Sequence, residues 1–121
     1  TELAAYYQAA DLSLLSSDIE SSARVLTESL LAGTPVLTTD TAGAREVVED
    51  TRSGRIVPAG DLDAFTRALL ELCENPQQLE EMGKHGQEMV GVHMSRANIM
   101  SGLRRLCSQA IRRSQGESVV V

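Results

Sequence analysis

The chain has 121 residues, enough for one compact domain that buries roughly two-thirds of its unfolded surface. Its formal charge of −6 disfavours a dedicated nucleic-acid binder, which needs a basic face for phosphates. With two Tyr, one Phe and no Trp there is no stacking platform for bases, and the core must be aliphatic.

In chain order, residues 2–10 are rich in helix formers, and "DLSLLSS" at 11–17 shifts to a short apolar run that suits a buried strand at 12–16. Residues 22–32 return to helical spacing, with Ala23, Leu26, Leu30 and Leu31 on one side; Gly33 and Pro35 then act as stop signals. "PVLTT" reads as the second strand, "GAREVVED" as a short helix and "GRIVP" as the third strand. "DLDAFTRALLELCEN" opens at Asp61 as N-cap and runs as an amphipathic helix to Asn75. Pro76 starts a further helix through Val90, a last helix spans about Ser95 to Ser114, and the tail "GESVVV" is expected to be loose.

Strands alternating with helices through short connections indicate parallel strands with helical crossovers. The fold class is therefore α/β, a partial doubly wound, Rossmann-like parallel sheet of about three strands with flanking helices. We divide it into residues 1–94, the partial Rossmann-like domain, and 95–121, a basic amphipathic helix and tail. Ligands of such sheets bind beyond the carboxyl ends of the strands. Here those ends lead into "SSDIESSA", "TDTAGA" and "PAGD", all small and polar.

The order of motifs carries a family resemblance. "YxxAD" at Tyr7–Asp11, the E-x7-E pair Glu20 and Glu28, "AGTPV" at Ala32–Val36, the Gly43 loop with Glu46, and "SGRIVPAGD" at Ser53–Asp61 follow one another. This run resembles the C-terminal half of retaining glycosyltransferases of the GT-B fold, the family-four type. The resemblance implies a nucleotide-sugar donor (UDP-, GDP- or ADP-sugar), transfer with retention, and no bound metal. It also implies that an N-terminal acceptor domain and an Arg and Lys pair lie upstream of Thr1, so this piece alone is expected to be inactive.

Residue by residue, the resemblance places Glu20 at the donor sugar hydroxyls as the catalytic candidate and Glu28 at the ribose. An ionised carboxylate accepts two hydroxyl hydrogen bonds, which fits both roles. The N–H groups of Ser21, Ser22 and Ala23 would receive diphosphate or sugar oxygens at a helix start. Gly43 would wall the same pocket. The turn reads Glu20-Ser21-Ser22-Ala23 where the family more often has E-G-F-G, so donor identity does not carry over.

Plainer readings stand beside these. Ser17 and Glu20 fit a capping box. Glu28 lies four residues after Arg24 and suits a surface ion pair. Glu46 suits a structural carboxylate of its short helix, and Gly43 a turn. His85 and His93 have no partner at metal-ligand spacing. Cys73 and Cys107 read as buried or half-buried thiols of a reducing compartment, with a disulfide left open. No signal peptide or membrane-length apolar run is visible, so a cytoplasmic location is expected.

Arg96, Arg104, Arg105, Arg112 and Arg113 stand against Glu117 alone in the last segment. That composition suits packing on a domain or peripheral membrane contact. No G-x-G-x-x-G or P-loop string occurs, which excludes those dinucleotide and NTPase signatures. The alternative function is a non-catalytic interaction or oligomerisation module, with an exposed sheet edge that could form a homodimer.

Overall fold

The structure is a computed structural model that describes residues 2–20, 24–49, 52–93 and 95–114. In order, the elements are α1 (Glu2–Ala9), β1 (Ser13–Leu15), α2 (Arg24–Leu31), β2 (Val36–Thr39), α3 (Ala42–Ala44) running directly into a π-helical turn (Arg45–Glu49), β3 (Gly54–Val57), α4 (Leu62–Cys73), α5 (Pro76–His93) and α6 (Arg96–Ser114). The chain divides into two compact units, Thr1–Val90 and Gly91–Val121. The division falls inside α5, where the sequence reading had put a boundary after residue 94.

In the first unit the three strands are all parallel, in the order β1-β2-β3. Val36 pairs with Ser13 on one side and Gly54 on the other, and Leu37 with Leu14 and Arg55. Because successive side chains alternate across a strand, this register sorts the apolar residues onto two faces. Leu15, Val36 and Ile56 meet Leu26 and Leu30 of α2, Ala44 of α3, Val47 and Val48 of the π turn, and Val90 of α5. Leu37 and Val57 meet Ala64, Phe65, Ala68, Leu69 and Leu72 of α4, with Leu79 and Met82 of α5. Leu26, Leu30, Val36, Leu37 and Leu72 are all at zero exposure, each contributing about 1.5–3 kcal/mol of apolar burial.

Two helical stripes differ from expectation in detail. On α2 the buried positions are Leu26, Ser29 and Leu30, and Leu31 is 45% exposed. The i, i+3, i+4 face needs position 29, which is filled by a serine that finds hydrogen bonds in place of apolar contact. Ser29 Oγ lies 2.7 Å from Ser13 Oγ and 2.9 Å from the Thr34 carbonyl oxygen. The second correction concerns the thiols: Cys73 and Cys107 are both free and exposed. On α4 the residue facing the sheet is Leu72, and its neighbour Cys73 is rotated about 100° away from it.

Helix α5 crosses the amino ends of β2 and β3 on a stripe of Leu79, Gly83, Gly86 and Val90. A Cβ on Gly83 would lie 2.1 Å from the Gly33 carbonyl oxygen, and one on Gly86 2.4 Å from Ser53 Cβ. The two glycines thus give α5 its approach. Gly33 itself has φ +86°, the left-handed geometry that ends α2. Asp61 caps α4, its Oδ1 accepting from the Ala64 N–H at 2.8 Å, as its position before the amphipathic stretch predicts.

In the second unit, α6 carries Ile99, Leu103, Leu106 and Ile111, each about half exposed, along one helix of 19 residues. Among the described residues no helix is long and apolar enough to cross a membrane.

Candidate functional site

The carboxyl ends of the three strands are joined to one another by hydrogen bonds. Thr39, the last residue of β2, donates its hydroxyl to the Ser17 carbonyl beyond β1. The Asp40 N–H donates to Val57 O at 2.7 Å, tying the loop after β2 to the end of β3. The Gly43 N–H donates to the Glu20 carbonyl oxygen at 3.0 Å. Thr41 accepts from the Ala44 N–H at 3.3 Å and so fixes the start of α3.

These contacts bring Glu20 and Gly43 together, two of the residues singled out in the sequence. Glu20 is half-buried, and Gly43 is buried within α3. Gly43 has no positive φ among the described backbone angles, so the turn explanation for it is not the operative one. Ser21, Ser22 and Ala23 lie outside the described residues, and with them the expected phosphate-facing helix start.

Glu28 sits on α2 in a groove shared with α1. Leu3, Ala4, Tyr7 and Gln8 line one wall and Glu28, Leu31 and Ala32 the other, around a volume of about 330 Å³. The Glu28 carboxylate takes a 3.3 Å ion pair from Arg24, as the i, i+4 spacing predicts, and shares the groove with Tyr7. Burial, then the charge and hydrogen bond of Glu28, raise the Tyr7 phenol above its ordinary value.

Asp40 and Arg45 flank the loop after β2. Arg45 Nη2 meets Asp40 Oδ2 at 2.8 Å and Nε meets Oδ1, a bidentate pair that holds the Asp40 carboxyl below the usual carboxylate range. Glu46 is exposed on the π turn. Among the described residues no three His, Cys, Asp or Glu side chains gather at metal-binding distance.

Sequence reasoning did not assign Tyr7, Thr34 or Thr39 a role. Thr39 was legible as the last residue of a strand whose end faces the loops. The Tyr7–Glu28 pair joins residues on separate helices, and no local pattern announces it.

A parallel sheet covered on both faces, with small polar loops linked across its carboxyl ends, defines the class of doubly wound, Rossmann-like α/β domains that take ligands at that edge. The chain belongs to the family described as Glycosyl transferases group 1, which it matches over residues 1–89. It is 32% identical over 81 residues to the putative glycosyltransferase EpsD of Bacillus subtilis, covering 67% of this chain and 21% of that protein. It is 41% identical over 71 residues to a phosphatidyl-myo-inositol mannosyltransferase of Mycobacterium leprae, covering 59% of this chain and 19% of the other.

Among solved structures, sucrose-phosphate synthase from Thermosynechococcus elongatus superposes with a TM-score of 0.79 at 28% identity, over 93% of this chain and 28% of that one. The fold is accordingly that of a GT-B Rossmann-like half-domain. The chain spans about a fifth of the length of these curated relatives. The expected homodimer and peripheral membrane contact find no support in the fold or in the relatives.

Proposed function

We propose that this chain is the donor-binding part of a nucleotide-sugar-dependent glycosyltransferase of hexosyltransferase type. In the whole protein it would transfer the sugar to an acceptor with retention of configuration. The observation that carries this reading is the family match over residues 1–89, which spans both glutamates and the loop that binds Glu20.

In this reading Glu20 stands at the donor sugar and is the catalytic candidate. Its main-chain carbonyl accepts from the Gly43 N–H, which ties the carboxylate-bearing segment to that loop. Glu28 accepts hydrogen bonds from the ribose diol. The N–H groups of Ser21, Ser22 and Ala23 are assigned to diphosphate or sugar oxygens on the resemblance alone. No metal is invoked: the leaving diphosphate takes part in deprotonating the acceptor, and the cationic phosphate contacts belong to upstream sequence. The chain alone is inactive in this reading, because the acceptor domain is also upstream. Two exposed free thiols suit a reducing, cytoplasmic setting.

The test is calorimetric titration of the chain with UDP, GDP and ADP, beside Glu28→Ala. One diphosphate should bind, and the variant should lose about tenfold to a hundredfold in affinity, the worth of a charge-assisted hydrogen bond. Equal binding by the variant would remove Glu28 from the site. Silence with all three in the wild type would contradict donor binding by this chain and favour the non-catalytic module.

A further inference from the structure

The two edges of the sheet differ in what lies beside them. Among the described residues β1 and β3 are each paired on one side only, to β2. The sequence holds no Lys or Arg at or before β1, whereas β3 contains Arg55 and follows Arg52. Along β3 the layers that cover the sheet leave a groove of about 400 Å³. Val48, from the layer on one face, and Gln78 and Met82 of α5 line it, with Met82 packing on the other face. Gly54 and Ile56 of the strand lie in the same lining, and its charged residues are Arg52 and Arg55.

The register decides which main-chain groups meet the groove. The Val36 N–H donates to Ser53 O at 3.3 Å and the Asp40 N–H to Val57 O at 2.7 Å, so Ser53 and Val57 turn their main chain toward β2. In a parallel strand the N–H and C=O of one residue point to one side, and those of the next residue to the other. Gly54 and Ile56 therefore aim their N–H and C=O groups away from β2, at the open edge that lines the groove. Such a row of groups is a template for another extended chain.

The charges indicate which chain. Arg55 gives Nη1 to Glu71 Oε2 at 2.8 Å, a bond that engages one arm of a five-donor guanidinium. Arg52 is exposed, and its φ of +50° is the left-handed geometry that favours glycine. A second copy of the chain across this edge would bring arginines toward arginines, and like charges opposed across strands destabilise the pair. A strand that carries carboxylates matches the planar guanidinium donors instead.

We propose that the open edge of β3 is a docking site for an extended acidic peptide segment of a partner protein. The segment adds a strand to the sheet, its main chain on Gly54 and Ile56 and its carboxylates on Arg52 and Arg55. Main-chain bonds supply the affinity in this mode, and the arginines select the charge of the partner. The site is independent of the donor reading, because it runs along a strand edge and uses neither Glu20 nor Glu28.

The probe is a short capped peptide of alternating Glu and Val, titrated into the chain with amide chemical-shift mapping. Beside it stand the Lys and Val counterpart and a Glu and Val peptide N-methylated along one edge. The acidic peptide should give saturable shifts centred on Gly54 and Ile56 and should slow hydrogen exchange at both amides. Arg52→Gly removes the cation at a backbone geometry that glycine prefers, so it should leave the melting temperature no lower and weaken the peptide about threefold. Arg52→Glu, which turns attraction into repulsion, should weaken it about tenfold. The lysine peptide and the N-methylated peptide should not bind at the same concentrations.

Equal binding of the lysine peptide, or unchanged affinity in Arg52→Glu, would overturn the acidic partner. Equal binding of the N-methylated peptide would overturn strand addition. Shifts centred elsewhere, or none with the acidic peptide, would overturn the site. Exchange at Gly54 and Ile56 that slows with rising protein concentration and no peptide would show a second copy on the edge, which also overturns the proposal. Each of these outcomes leaves the donor reading intact.

Discussion

At the amino end of the sheet the polypeptide is held by close approach of a helix backbone, whereas at the carboxyl end it is held by hydrogen bonds between loops. Gly83 and Gly86 bring α5 onto Gly33 and Ser53 with no room for a Cβ. The opposite end is joined by Thr39 to Ser17, Asp40 to Val57 and Gly43 to Glu20. The first arrangement is unforgiving of added volume and carries no chemistry. The second is polar and includes the main chain of Glu20. A fold of this class can thus vary its ligand at one end without disturbing the packing that supports the other.

The largest effect should come from Gly83→Ala. The new methyl meets a carbonyl oxygen that belongs to the backbone, so relief requires moving α5 from α2, and a loss of about 3 kcal/mol in denaturant unfolding is expected. Gly91→Ala, on the same helix with nothing within 4 Å of its Cβ, should be neutral or stabilise by up to about 1 kcal/mol. Similar losses from both would show that helix propensity and not close approach governs α5, and the contrast between the two ends would fall.

Thr39→Val probes the carboxyl end. It keeps the β-branched shape and removes one hydroxyl, and should cost about 1 kcal/mol by the same unfolding measurement. A loss equal to that of Gly83→Ala would mean that the loops are as tightly determined as the helix crossing. Asp61→Ala, which removes the α4 cap, should cost about 1 kcal/mol or less, with its effect confined to the first turn of that helix in hydrogen exchange.

The smallest effect concerns Asp40. Arg45 lowers its pKa, so the pair's contribution is complete above the ordinary carboxylate range and is lost as pH falls through the lowered value. A carboxyl-carbon NMR titration should find Asp40 below the ordinary carboxylate range, and Arg45→Gln should return it there. An unshifted Asp40 in the wild type would remove the ion pair from the description of the loop.

Much of this was legible in the sequence, for reasons that differ by element. The alternation of helices and strands, the Asp61 cap and the Gly33 stop follow from local periodicity and turn chemistry, and the structure has them where they were expected. The ordered motifs gave the family, which the match over residues 1–89 shows. Less was legible where a residue's role depends on what another element brings to it. Ser29 took the place expected of an apolar residue because a serine and a carbonyl lay opposite. Leu31 and Cys73 face outward by a rotation of one residue from buried Leu30 and Leu72, and Cys107 lies on α6, where no described residue is buried. The reason for the glycines of α5 lies in Gly33 and Ser53, distant in sequence. Likewise, the Glu20–Gly43 and Tyr7–Glu28 contacts are tertiary and have no local signature.

The central claim is that the linked loops at the carboxyl ends, together with Glu28, receive a nucleoside diphosphate. The most direct measurement is amide chemical-shift mapping of the chain during titration with UDP, GDP or ADP. The account predicts saturable shifts at Glu20, Gly43 and Glu28, with Gly33 and Gly83 at the amino end unmoved. Shifts centred on the amino end, or none at Glu20 and Gly43 while a nucleotide binds elsewhere, would contradict it.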